Sequence, residues 1–370
     1  MKKHYFLGLA AGRRGAWRQL FTHGSKKDAT RLKLFLEKKY SGEALLCKNG
    51  RSALTLALKA YFDKGDAVIV NGFTCFAAYE AVKAAGLTPV FADISREDLN
   101  FNTETLGAAF DNNVRGIIVQ NTLGYPVDIV AVEKFAKERN LILIEDLAHC
   151  AGVRYPDGRE TGTVGVATVL SFGKDKSIDA VSGGAVVLRH PCKNTIKAPS
   201  KTPLVSDYLR ERFYPMFGAM CRGLSYLHLG GVLMRGLIKI HFVERSADNR
   251  LDLERKMPRF EAKLALKQLE KLKKSGEEPL REFGLVNDRE KVLKTLRKSG
   301  YYFDSLWYEK PVSPVRYYKK VHFDEKKCPI ATYVAARIVN LPKYYKKTEL
   351  ELARKIIKQN LAEGGKNGQD

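Results

Sequence analysis

The sequence lacks the features that would place it in several large protein classes. Its six cysteines (Cys47, Cys75, Cys150, Cys192, Cys221 and Cys328) form no CxxC pair and show no zinc-ligand spacing. This argues against a disulfide framework or a metal site and reads as the reduced thiols of a cytoplasmic protein. No run approaches the roughly 20 apolar residues that a membrane-spanning helix needs. The apolar stretch near the N-terminus is cut by Arg13 and Arg14 with no small-residue cleavage site behind it, so a secretory leader is not expected. Negative charge is also scarce, with 41 Asp and Glu against 64 Lys and Arg, a net charge of +23. Most of the excess lies in residues 191–370, which carry 38 basic and 21 acidic residues. Such a field attracts nucleic acid, anionic membrane surfaces or phosphorylated small molecules. No zinc finger, RNP motif or helix-turn-helix accompanies it, so no nucleic-acid partner is expected. Solvated lysine faces explain the charge equally well.

What is present is an ordinary soluble composition. Hydrophobic residues make up 45% of the 370 positions and charged residues 28%, enough to bury a core in one large or two medium domains. Short β-branched runs alternate with amphipathic segments. AVIVNGF (67–73), TPVFADI (88–94), RGIIVQN (115–121), LILIED (141–146), ATVLSF (167–172) and GGAVVLR (183–189) read as strands. SALTLALKAYF, FAAYEAVKAAG (76–86) and DIVAVEKFAKERN (128–140) read as helices between them. Continuous apolar strands spaced by helices predict a mostly parallel sheet covered on both faces. Ligands in such folds bind beyond the carboxyl ends of the strands. The predicted organisation is an arm at 1–30, a large domain at 31–200, a helical insertion or connector at 201–250, a smaller α/β domain at 251–362 and a disordered tail at 363–370.

Three strand-end features carry chemistry. Glu145-Asp146-Leu147-Ala148-His149 follows a buried strand. Asp146 there can cap the next turn, or hold a cationic ring nitrogen so that the ring acts as an electron sink. Ser171-Phe172-Gly173-Lys174-Asp175-Lys176 follows the strand ATVL. A lysine in such a turn is usually solvated, but one lowered in pKa by a polar cleft and a neighbouring Lys174 can form a Schiff base. Asn49-Gly50-Arg51-Ser52 opens a helix, where free amides beside a glycine make a phosphate cup. Glycine turns before helices are common, and a lone His149 is ordinarily a satisfied core residue.

In this order and spacing the three resemble the DegT/DnrJ/EryC1/StrS family of pyridoxal-phosphate (PLP) sugar aminotransferases. The SGTxAL-type turn stands here as Asn49 to Leu54, the IEDxA motif as Ile144 to Ala148, and the SFxxxKxxxxxxGG motif as Ser171 through Lys176 to Gly183-Gly184. The resemblance is good over residues 30–190 and loose over 254–360. It implies the PLP-dependent transferase fold of type I: a large α/β domain with a mostly parallel seven-stranded sheet between helices, plus a smaller C-terminal α/β domain. It implies that Lys176 holds the cofactor covalently and then serves as general acid and base. Asp146 would pair with the ring nitrogen, and His149 would reach the phenolic oxygen. Ser171, Gly50 and Arg51 would bind the phosphate, Arg51 replacing the usual threonine. Cys75 stands where the family often has a stacking ring, with Phe76 beside it as a candidate substitute. The family's small-domain asparagine, which reaches the partner subunit's phosphate, is missing from Glu254-Arg255-Lys256-Met257, leaving Arg255 or Lys256 as replacements.

The implied function is transfer of an amino group, from glutamate, to a keto sugar carried on a nucleotide, by a cytoplasmic homodimer that serves polysaccharide or glycoconjugate synthesis. One alternative is a sugar dehydratase of the same family, against which Lys176 argues because that branch carries histidine there. Another is a non-catalytic or regulatory protein on the same fold. Residues 203–243, apolar with regularly spaced arginines, have no counterpart in compact members. They read either as helices packed at the dimer interface or over the active site, or as a peripheral contact with an anionic membrane.

Overall fold

The computed structural model describes residues 5–7, 20–225, 229–244, 249–272, 279–303, 306–343 and 345–362. The expected tail at 363–370 and most of the arm at 1–30 lie outside these. The sheet consists of β1 (Glu43–Cys47), β2 (Ala67–Asn71), β3 (Thr88–Ala92), β4 (Val114–Val119), β5 (Ile142–Asp146), β6 (Ala167–Ser171) and β7 (Gly184–Leu188). Their spatial order is β1-β7-β6-β5-β4-β2-β3, with β7 antiparallel to both neighbours and the other pairings parallel. The strands read as continuous apolar runs because both faces are covered. Val186 and Leu188 join the core on one face, and Ala185 and Val187 join the core on the other.

On the first face lie α2 (Gly50–Tyr61) and α3 (Phe76–Ala84), and on the second lies α1 (Lys26–Tyr40). Helix α2 is buried from Arg51 through Leu58, as a helix sandwiched between sheet and neighbour must be. Helices α4 (Thr103–Ala109) and α5 (Ile129–Glu138) complete the layer near β3 and β4. The insertion is two packed helices, α6 (Val205–Ser225) and α7 (Gly230–Lys239). Its core joins Tyr214 and Cys221 to Met234 and Leu237.

Within the 251–362 segment, α8 (Arg259–Leu272) packs on α1, and Ala262, Ala265, Leu266 and Leu269 belong to the same core as Leu32, Leu36 and Leu170. The small domain proper pairs β8 (Arg281–Leu285) with β9 (Ile338–Pro342) in antiparallel register. Helices α9 (Arg289–Lys298) and α12 (Lys347–Lys358) cover one side. On the other side is α11 (Pro329–Arg337), while α10 (Val315–Val321) packs on α3 of the large domain. The N-terminus of α11 is fastened to the large domain, because Asp93 accepts from the amides of Ile330 and Ala331 at 2.9 and 2.8 Å. A shared core of Phe73, Ile94, Leu99 and Leu123 with Phe283, Tyr308 and Val334 welds the two domains.

Candidate active site

A cavity of about 490 Å³ opens where the carboxyl ends of β5 and β6 meet the start of β7 and the N-terminus of α2. Lys176, Asp146, Ser171, Gly50, Arg51 and Cys75 all line it. The backbone geometry of its floor depends on glycine. A Cβ on Gly50 would fall 2.6 Å from Ser171 Cβ and 2.7 Å from its Oγ, and one on Gly184 would fall 2.5 Å from the carbonyl carbon of Asn49. Helix start and strand end can touch only because those atoms are absent. Asn49 caps α2 by accepting from the Ser52 amide at 2.9 Å and its hydroxyl at 3.0 Å, which leaves the first amides of the helix at the cavity floor. Gly50→Ala is therefore expected to separate α2 from β6. We expect about 1–3 kcal/mol of lost stability in urea denaturation, with loss of PLP affinity; unchanged values of both would contradict this packing.

Lys176 lies in the β6–β7 loop, with its Nζ 3.2 Å from His149 Nε2 and 4.8 Å over the Trp307 ring. The loop is held in an unfavourable backbone conformation. Asp175 has φ 63° and Val181 φ 80°, a region that costs a β-branched residue about 1–2 kcal/mol. Compensating contacts fix it: Asp179 Oδ1 accepts the Val181 amide at 3.0 Å, and Gln268 of α8 brackets the Asp179 backbone, accepting its N–H at 3.1 Å and donating to its carbonyl at 2.6 Å. Lys174 does not face Lys176. Its Nζ donates to the Glu244 carbonyl at 2.8 Å and lies 3.8 Å over the Tyr214 ring, tying the loop to the insertion. Burial lowers its pKa, against the pull of Glu211, Asp179 and Glu244.

His149 is buried beneath Lys176. Its Nδ1 accepts the Leu123 amide at 3.2 Å, so the neutral ring carries its proton on Nε2, where Tyr308 Oη at 3.4 Å can accept it; Lys176 Nζ, 3.2 Å from the same nitrogen, can accept it only as an uncharged amine. Leu123 itself sits at φ 55°, a strained setting that directs its amide at the imidazole. Burial, then the charges of Lys176 and Arg281, hold His149 well below its ordinary pKa.

The two adjacent carboxylates at the end of β5 have separate environments. Glu145 is fully buried and accepts from the amides of Gly162, Val164 and Gly165 and from the Tyr155 hydroxyl, all within 2.7–2.8 Å; it builds the fold. Asp146 faces the cavity. Burial pushes its pKa up, opposed by the Ala148 amide at 3.0 Å, the Lys176 charge and Gln120. Gln120 is in turn fixed by Thr74, whose hydroxyl donates to it at 2.9 Å.

Other expected residues fall differently. Arg51 lines the floor, but its guanidinium pairs with Glu80 and donates to the Asn249 carbonyl at 2.6 Å, so its charge is already met within the chain. Phe76 does not enter the cavity: as the first residue of α3 it turns away, stacking on Tyr317 of α10 at 4.4 Å, and only Cys75 faces inward. Arg255 pairs with Asp252 at 2.8 Å and Lys256 is exposed; neither lines this chain's cavity.

Three neighbours were not anticipated. Trp307 stacks on His149 at 5.0 Å, Arg281 lies 4.6 Å over the Trp307 ring while only 1% exposed, and Tyr308 closes the wall beside Cys75. The rarity of tryptophan, two in the chain, was the one available signal.

The family model described as the DegT/DnrJ/EryC1/StrS aminotransferase family matches residues 17–207, more than half of the chain. The chain belongs to this family. It is 35% identical over 154 residues to the GDP-perosamine synthase of Escherichia coli O157:H7, covering 41% of this chain and 42% of that protein. It is 34% identical over 143 residues to a pleiotropic regulatory protein of Geobacillus stearothermophilus, covering 38% of each. These relatives are thus matched over about two-fifths of their length. A DegT DnrJ EryC1 StrS aminotransferase structure from Brucella abortus superposes with TM-score 0.68 at 19% identity, covering 96% of this chain and 99% of that one. The fold is therefore that of the PLP-dependent aminotransferases.

The donor set of this DegT/DnrJ/EryC1/StrS cavity fits pyridoxal phosphate. It combines a primary amine, a buried carboxylate of raised pKa at the adjacent strand end, and a floor of helix amides that a single Cβ would block.

Proposed function

We propose that this chain is a PLP-dependent aminotransferase, acting as a cytoplasmic homodimer, that moves an amino group from glutamate to the ketone of a nucleotide-linked sugar. One observation carries the reading: Lys176, Asp146 and the Gly50 floor converge on one cavity. When bound, PLP supplies an amine-accepting carbonyl and a protonated ring that takes up electron density. Asp146 would hold the proton on the ring nitrogen, its raised pKa suiting a strong shared hydrogen bond. The first amides of α2, with Ser171, would hold the phosphate. Lys176 Nζ would be the group that takes up a proton and returns it. The Nε2–H of His149 would steady that nitrogen and the phenolic oxygen. Cys75 and Ala148, both lining the cavity, would leave room for the ring.

For the substrate, the support is the relative named GDP-perosamine synthase and a net charge of +23 suited to a diphosphate. A panel of keto-sugar nucleotides with varied amino donors tests the reading. Glutamate should bleach the visible band of the PLP-loaded protein and an acceptor from the panel should restore it; a protein that takes up no PLP would refute it.

A second reading, a regulatory protein that keeps the fold, draws on the relative named a pleiotropic regulatory protein and on an Arg51 already occupied by Glu80. It predicts PLP uptake, if any, without response to glutamate. Lys176 continues to weigh against the dehydratase reading.

A further inference from the structure

Helix α7 has two unlike faces. Met234 and Ile238 point into the cavity wall beside Tyr214 and Val243, and Met234 and Leu237 pack on α6. The opposite side is open to solvent and apolar: Leu229 is 51% exposed, Val232 55%, Ile240 66% and Phe242 42%. Leu229, Val232, Lys239 and Ile240 recur at helical spacing, and Arg235 stands exposed among them. Among the described residues, Leu229, Val232 and Ile240 stay at least half exposed, while Phe242 meets the Phe217 ring edge-on at 5.2 Å.

The charge around the row has one sign. From Arg212 to Val243 the sequence contains no Asp or Glu. Among the described residues the carboxylates nearest in sequence are engaged elsewhere: Asp207 pairs with Lys48 and Arg210, Glu244 pairs with Arg210, and the half-buried Glu211 faces Glu261 and Ser182. A second copy of the chain is a poor cover for such a face. An isologous contact sets the same patch against itself. Arg235 and Lys239 would then face a copy of the same patch, which offers no acidic residue to pair with, and interface cores are depleted of charge. A surface that is apolar below and anionic above satisfies both the exposed side chains and the two cations.

We propose that the outer face of α7 seats this protein on an anionic lipid surface. No helix among the described residues is long and apolar enough to cross a membrane, so the contact is peripheral. Because the inner face of the same helix lines the cavity, seating would bring the cavity to the lipid–water boundary. The inference is independent of the cofactor reading and is tested without cofactor.

The test is cosedimentation of the full chain with vesicles of phosphatidylcholine containing phosphatidylglycerol, and with vesicles of phosphatidylcholine alone. The protein should pellet with the anionic vesicles and far less with neutral ones. Arg235→Ala/Lys239→Ala should weaken binding about twenty-fivefold, at about fivefold for each cation near the surface. Val232→Glu/Ile240→Glu should abolish it, with circular dichroism confirming that both variants remain folded. Three results would overturn the proposal: no pelleting with either vesicle, equal pelleting with both, or a dimer that falls to monomer in Ile240→Glu, which would assign the face to a second copy.

Discussion

Lys176→Ala is expected to lower transamination by at least about a thousandfold while leaving the fold intact. General acid–base catalysis alone contributes about 10²–10⁴ in rate, and the variant would lose the covalent anchor as well. The side chain meets the cavity rather than a packed core, touching His149 at 3.2 Å and the Trp307 face. Truncation therefore opens space that water can fill, and stability should change by less than about 1 kcal/mol. Asp146 and the floor of α2 remain, so PLP should still bind, but without covalent capture. Activity assays paired with equilibrium dialysis of PLP check both halves. A variant that keeps more than a tenth of wild-type turnover would remove Lys176 from the chemistry.

Asp146→Asn is expected to give opposite signs in function and in stability. Asparagine keeps the shape and can still accept from the Ala148 amide, but it loses the charge that would hold a ring proton. Removing one partner of a buried, charge-assisted pair costs about 3–5 kcal/mol, so PLP affinity or turnover should fall by about 10² to 4 × 10³. Without PLP the direction reverses. The folded-state pKa of Asp146 is raised by burial, so its ionisation opposes folding as pH rises from the ordinary carboxylate value through the raised one. Asparagine never ionises and escapes that penalty. The ligand-free variant should therefore be more stable than wild type at neutral pH and no more stable in acid, where both side chains are uncharged. Urea titrations at the two pH values measure this. If Asp146 served only to cap the turn, the variant would lose little affinity and gain no stability.

The sheet was readable because its strands are buried on both faces, so each appears as an unbroken apolar run. The helices between them show one wet face. The same periodicity cannot say which core a helix joins: α8, amphipathic and basic, falls within the 251–362 segment, and its apolar face packs against α1. The cavity's polar residues were readable where one short loop carries several of them, as with Asp146 to His149 and Ser171 to Lys176. What was hidden is direction. Cys75 and Phe76 are adjacent, and only the packing of α3 against Tyr317 decides that the sulfur faces inward and the ring outward. Arg51 carries a charge that looked available until the fold brought Glu80 to it. Trp307 and Arg281 reach His149 from a distant part of the chain, with nothing local to announce them. The left-handed backbone at Leu123 and Val181 is held by tertiary contacts, and no glycine marked either position.

The most direct test of the account is to load the full chain with PLP, reduce it with borohydride, digest it, and locate the modified residue by mass spectrometry. The cavity places one amine beside His149 and opposite Asp146, while Lys174 is turned onto Tyr214. The modification should therefore sit on Lys176. A label on Lys174 or any other lysine, or a protein that carries no label at all, would contradict the assignment.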